Sequence, residues 1–228
     1  MNAENFFPWM GFFHKIYIGD AFVFLDHVEN NPRSAIYTKR VKIIVNKQEH
    51  WLTCSLKTHE NKIFVPINQM RLDNPERLKD KHLKTIELNY KKSPFFNDTM
   101  PLVQSFYDHK SYLISERNID IINSICTRLN ITTSKFISKD LNIDSSSNQM
   151  LINITKSLNG DCYIPGGGAD GYQENEMFAN CGINIEYQNF KHPQYNQFNA
   201  QTFIPGLSII DALMNIGSSE TEKLIKNA

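Results

Sequence analysis

The sequence predicts an α/β fold: a mostly parallel sheet with helices on both faces, plus an appended antiparallel β-hairpin. Three observations predict it. Residues 21–26 (AFVFLD) make a near-continuous apolar run, as a strand buried on both faces requires. Residues 135–187 alternate strand, helix, strand, glycine loop, short helix and strand, the pattern of parallel strands joined by crossovers. Residues 40–45 and 51–56 are β-rich and separated by a polar stretch containing Asn46, Lys47, Gln48 and Glu49, which signals a hairpin.

In chain order, residues 6–18 are dense in aromatics and carry Pro8 and Gly11 ahead of the first strand. A short third strand at residues 63–65, ended by Pro66, completes a β-rich insertion over 40–68. Residues 69–130 change to helix, and Ile119, Ile122, Cys126 and Leu129 mark one face of a helix over 116–129. After a short strand at 135–138, Ser146 and Gln149 have capping-box spacing, and Gly160 stands where a C-terminal glycine belongs. Short strands at 161–164 and 183–187 bracket the Gly166, Gly167, Gly168 turn. Ser208 and Asp211 start a helix that Gly217 stops, and Ser219 and Glu222 repeat the device for a last one. The whole is read as one domain over 1–228.

Composition narrows the function. With 228 residues, 41% hydrophobic and 11% aromatic, the chain can bury a sizeable core and is not a disordered type. Twenty-four basic residues balance 24 acidic ones, so no bulk charge draws it to nucleic acid or to an anionic membrane. No apolar run approaches a membrane span and the start lacks a secretory pattern, so a cytoplasmic protein is expected. Cys54, Cys126, Cys162 and Cys181 are too scattered for a zinc knuckle; reduced, mostly buried thiols are expected, and no metal site.

In an open parallel sheet ligands bind beyond the carboxyl ends of the strands, which selects the candidate site residues. Asp26 and His27 close the first strand; Ser145 and Ser146 precede a helix N-terminus, which offers free N–H groups to a phosphate. Gly166, Gly167 and Gly168 allow close backbone approach, and Gln188 and His192 follow the 183–187 strand. These four clusters are expected to converge on one crevice. Lys39 and Arg40 supply cations for a diphosphate, and Trp9 a wall for a base or sugar. Each residue also has a plainer reading: Asp26 as a turn cap, Lys39 and Arg40 as solvated hairpin charges, the glycines as a flexible loop. Neither a dinucleotide fingerprint nor a P-loop is present.

Several stretches together resemble the WbqC-like proteins of bacterial surface-polysaccharide and O-antigen gene clusters. They are residues 5–13 (NFFPWMGFF), 20–28 (DAFVFLDHV), 182–188, His192-Pro193 with Tyr195, and 203–211 (FIPGLSIID). Departures from that pattern fall at Ala3 and Glu4, where the family has Gln-Pro, at His27 and Glu29, where it has a second Asp and a Gln, and at residues 37–40, where it has an Asn-Arg-rich stretch. The resemblance implies a role in making or decorating nucleotide-activated sugars. Two functions follow from it: a transferase that moves an acyl or aminoacyl group to an amino sugar nucleotide, or a non-catalytic protein that binds a nucleotide sugar or a pathway partner. In the first, His192, or next His27, takes the proton of the attacking amine and backbone N–H groups hold the oxyanion. No residue identifies a cofactor.

Overall fold

A computed structural model of the chain describes residues 1–30, 36–57, 64–166 and 175–228. After a turn at Phe6-Phe7-Pro8, helix α1 (Met10–Ile18) buries every residue from Met10 to Ile16, the polar His14 and Lys15 included. Strand β1 (Ala21–Phe24) follows with three buried residues, then β2 (Glu29–Asn30) and the one-turn helix α2 (Ile36–Lys39). Strands β3 (Arg40–Val45) and β4 (Gln48–Thr53) form the expected hairpin in antiparallel register, with β4 three residues earlier than the 51–56 expected because the turn takes only Asn46 and Lys47. Its two-residue turn puts Asn46 at φ 52° and Lys47 at φ 67°, the left-handed pair that a tight hairpin demands.

Strand β5 (Val65–Pro66) pairs antiparallel with β2 and is no third strand of the hairpin; residue 63 lies outside the described residues. The helical segment resolves into α3 (Pro75–Tyr90), α4 (Phe96–Asp108) and α5 (Ile114–Arg128). Asn74 caps α3, accepting from the Arg77 N–H at 3.1 Å, and Pro75 occupies the first helical position. Strand β6 (Ser134–Ile137) then returns to pair parallel with β1, from Ala21↔Ser134 to Phe24↔Ile137. Helix α6 (Ser147–Ser157) leads to β7 (Cys162–Tyr163), α7 (Asn175–Asn180) and β8 (Asn184–Ile185); β7 and β8 are again parallel. Helix α8 (Ile209–Lys226) closes the chain, and Gly217 (φ 74°, ψ 175°) breaks it where a stop was expected.

The chain is therefore mixed α/β, and its parallel pairings are helix-connected as anticipated. Among the described residues, however, the strands pair only two by two, in two parallel and two antiparallel units, and form no single mostly parallel sheet. The layer that organises the molecule is helical instead: α8 packs on α1 and α4, and α4 on α5. Phe6, Phe7, Phe13, Ile43, Ile44 and Leu213 lie fully buried in the main core, while Ile152, Tyr163, Phe178 and Ile183 form a smaller one around β7 and α7.

Two capping expectations need correction. Ser146 precedes α6, but its side chain makes no capping bond, and Gln149 donates instead to Asn153 on the next turn at 2.8 Å. At the other end the left-handed residue is Asn159 (φ 55°), not Gly160. The Gly160 N–H reaches back to the Thr155 carbonyl at 2.9 Å and that of Asn159 to Lys156 at 2.9 Å, which makes a Schellman turn with asparagine in the glycine's usual place. Cys54 and Cys126 are buried, Cys162 and Cys181 half-buried, and all four are free. No helix among the described residues is long and apolar enough to cross a membrane.

Candidate functional site

The N-terminal segment is laced between three elements. The Phe6 N–H bonds to the Tyr37 carbonyl of α2 at 2.9 Å, and Ser208, ahead of α8, donates its hydroxyl to Phe7 O at 2.9 Å and its N–H to Lys42 O of β3 at 2.8 Å. The Ile209 N–H closes the circuit on Pro8 O at 2.8 Å. Held at both sides, Phe7 sits at φ 40°, a conformation that an aromatic residue adopts only when its surroundings impose it. The consequence is the placement of Trp9, whose indole lies directly over Gly11; a Cβ at position 11 would meet it at 2.3 Å.

Between this segment and the hairpin lies a cavity of about 460 Å³. Trp9, Gly11, Phe12 and Lys15 form one wall; Tyr37, Arg40, Lys42 and Trp51 form the opposite one; Asn2, Asn5, Gly166, Gln188 and Gly206 complete the rim. Strand alternation explains the opposite wall: Arg40 and Lys42 share one face of β3, and Lys42 pairs across the hairpin with Trp51. The Arg40 guanidinium lies over the Trp51 ring at 4.4 Å and the Lys42 ammonium at 5.4 Å. Arg40 also keeps a buried Nε with no partner. No carboxylate lines this cavity among the described residues, so it is cationic and aromatic, although Glu49 of β4 pairs with the Lys42 ammonium at 2.8 Å.

Of the residues singled out in the sequence, Trp9, Arg40, Gly166 and Gln188 meet here. Gln188 is pinned by its amide nitrogen, which donates to Gly11 O at 2.7 Å and lies 2.8 Å from His14 Nδ1. Gly166 is needed for closeness, because a Cβ there would stand 2.8 Å from Asn2 Oδ1. His192 lies behind the wall, with its ring stacked on Trp9 at 6.1 Å. Its Nδ1–H donates to Pro193 O at 3.1 Å, which leaves Nε2 as a buried lone pair without a partner, and burial holds the imidazole below its ordinary pKa.

The other candidates lie elsewhere, so the four clusters do not converge. Asp26 is buried in a second cavity, where it accepts from Ser138 Oγ at 3.1 Å, the Lys139 N–H at 3.2 Å and Asn68 Nδ2 at 3.2 Å. That is the turn-capping role. His27 contacts Ser138 Oγ through Nδ1 and Met150 Sδ through Nε2, on the same side as Asp26. Ser145 Oγ accepts from Asn153 at 3.1 Å, and neither it nor Ser146 lines the cavity. Lys39 ends α2 beside Arg40, its ammonium held below its ordinary pKa by burial first and by that neighbour. Gly167 and Gly168 lie outside the described residues. Sequence reasoning missed Lys15, Lys42, Trp51 and Tyr37; the signal for Lys15 was a lysine inside a helix that is apolar from Met10 to Ile18 except for the neighbouring His14 and the Tyr17 hydroxyl. Among the described residues no group of three His, Cys, Asp or Glu side chains is placed to hold a metal ion.

A mixed α/β protein with a cationic, aromatic cavity beside its N-terminal turn is the class these observations define. The WbqC-like protein family matches residues 4–223, and the chain belongs to it. It is also similar, at 23% identity over 224 residues, to the uncharacterised protein Rv1507c of Mycobacterium tuberculosis, a match that spans 97% of this chain and 94% of that one. No solved structure matches it.

Proposed function

We propose that the cavity between α1 and the hairpin binds a nucleotide-activated sugar, and that the protein transfers an acyl or aminoacyl group to an amino group on that sugar during surface-polysaccharide (O-antigen) biosynthesis. The observation that carries the reading is the pairing of Arg40 and Lys42 with Trp51 and Trp9 across one cavity: cations for a diphosphate, aromatic faces for a base or sugar. Family membership supports the pathway, and a cytoplasmic location follows from where such sugars are made. In the transfer, the sugar amine attacks the acyl carbonyl, the C–N bond forms, the donor's leaving group departs with the bond pair, and the amine proton passes to His192 Nε2. A neutral imidazole with a free lone pair has the chemistry for that role, although Nε2 is buried behind Trp9 and the substrate must displace that wall to reach it.

A non-catalytic binding protein is the second reading. It is favoured by the position of both histidine candidates, since neither His192 nor His27 lines the cavity. The test is product detection by mass spectrometry with UDP- and dTDP-linked amino sugars and a panel of donors: acyl-CoA, formyl-tetrahydrofolate and aminoacyl donors. Turnover that falls by about 10² or more in His192→Ala supports transfer with this base. Binding with no turnover for any donor selects the second reading.

A further inference from the structure

Lys15 is set apart from the other cations of the cavity. It lies on the rigid face of α1, only 4% exposed, whereas Arg40 and Lys42 come from the half-buried edge of the hairpin. Its ammonium donates to Met1 O at 2.8 Å and has no carboxylate partner among the described residues. A second bond goes to the Met1 amino group, and since a lysine carries three N–H donors, one is left for a ligand. The nitrogen lies 3.9 Å from where a Cβ of Gly166 would stand, and both residues line the cavity.

The described charges around it are mostly positive, although Lys42 is ion-paired with Glu49 at 2.8 Å. Arg40 and Lys42 of β3 face it across the cavity, and the Met1 amino group is buried beside it. Asp20, Asp161 and Glu186 line a neighbouring cavity that Lys15 also borders, none of them within ion-pair distance. Taken out of water with no counter-charge among the described residues, an ammonium loses its proton more readily, and burial pushes Lys15 down to about 7 against the opposing effect of its bond to the Met1 amino group. An anion entering the cavity supplies a counter-charge that no described residue gives.

We propose that Lys15 anchors the phosphate groups of the ligand and becomes an ammonium as they arrive, drawing one proton from solvent. The assignment rests on the nucleotide-sugar reading of the same cavity and adds to it a specific residue and a pH linkage. Binding then weakens as the solution becomes alkaline, because the proton must be taken from a lower concentration.

The experiment is calorimetric titration of the full chain with UDP-N-acetylglucosamine and with dTDP-glucose, whose diphosphate diesters do not titrate near neutrality. Runs at pH 8 in two buffers of different ionisation enthalpy count the protons taken up. About 0.5 to 1 proton per ligand is expected, with affinity falling by up to about tenfold per pH unit above about pH 7. Lys15→Met removes the uptake and weakens binding at pH 7 by about tenfold or more. Lys15→Arg, always charged, binds without uptake and carries the comparison if the methionine variant does not fold. Wild-type binding without uptake overturns the assignment and leaves the nucleotide reading standing. Uptake that survives Lys15→Met belongs to another buried base, the Met1 amino group or His14 among them, and overturns it equally. If neither nucleotide sugar binds at any pH, the nucleotide reading fails and the assignment fails with it.

Discussion

Arg40 and Lys39 are neighbours in sequence and equals in charge, yet the fold gives them different surroundings. Arg40 opens β3, stacks on Trp51 at 4.4 Å and faces the cavity, while Lys39 ends α2 and is not among its lining residues. Arg40→Ala should therefore weaken nucleotide-sugar binding by about 1–3 kcal/mol, the range for charge-assisted hydrogen bonds, through loss of the guanidinium and of its hold on the indole. Lys39→Ala should stay within about 0.5 kcal/mol of the native affinity. Calorimetry on the two single variants decides it, and equal losses would place the diphosphate elsewhere. The same contrast shows how far a site can be read from sequence. Trp9 and Arg40 were legible as types suited to a nucleotide, but the partners that give them a cavity, Lys15 and Trp51, come from α1 and β4 and meet only in three dimensions. Asp26 and His27 misled because strand ends point to a site only when the strands lie side by side in one sheet.

Elements were more legible than their assembly. The hairpin strand β3 runs over the residues its pattern predicts, and β1 and β6 lie within two residues of the apolar runs that predict them, but that these two strands pair is seen only in the fold. Local signals failed where a neighbour supplied an alternative bond, as at Gln149, which prefers Asn153, or where another residue tolerates the same conformation, as Asn159 does ahead of Gly160. The hairpin turn extends this to a measurable case. Asn46 suits its left-handed position, but Lys47 at φ 67° occupies one that glycine adopts without a Cβ penalty. Lys47→Gly should stabilise the protein by about 0.5–1 kcal/mol, offset in part by the greater freedom of glycine in the unfolded chain. Chemical denaturation of both proteins measures it. A loss of stability would mean that the Lys47 side chain contributes more than its backbone strain costs.

Across the whole molecule, stability depends on charges that the fold holds in unfavourable places. Glu4 is fully buried, and both of its carboxyl oxygens lack hydrogen-bond partners, although its carbonyl accepts from Asn118 of α5, which also bonds Thr38 of α2. Burial, and then the charge of Asp26, push its pKa from 4.5 up to about 8. The unfolded chain releases this proton near pH 4.5 and the native protein keeps it to about pH 8, so the native state binds more protons in between. Stability from this group is fully present below about pH 4.5 and is lost as pH rises toward 8. His82 acts in the opposite sense: buried between Tyr107 OH and Thr53 O, it is pushed down to about 4, so stability falls as acid protonates the unfolded chain from pH 6.5 downward. The two slopes overlap in the wild type, and a variant separates them. Glu4→Gln keeps the shape of the neutral side chain and cannot ionise, so its stability relative to wild type should rise by about 3 kcal/mol between pH 5 and pH 8. Urea denaturation of both proteins at unit pH steps over that range measures the difference directly. Curves that stay parallel would mean that Glu4 is already ionised in the native protein, with its charge met by a group other than those that surround it here.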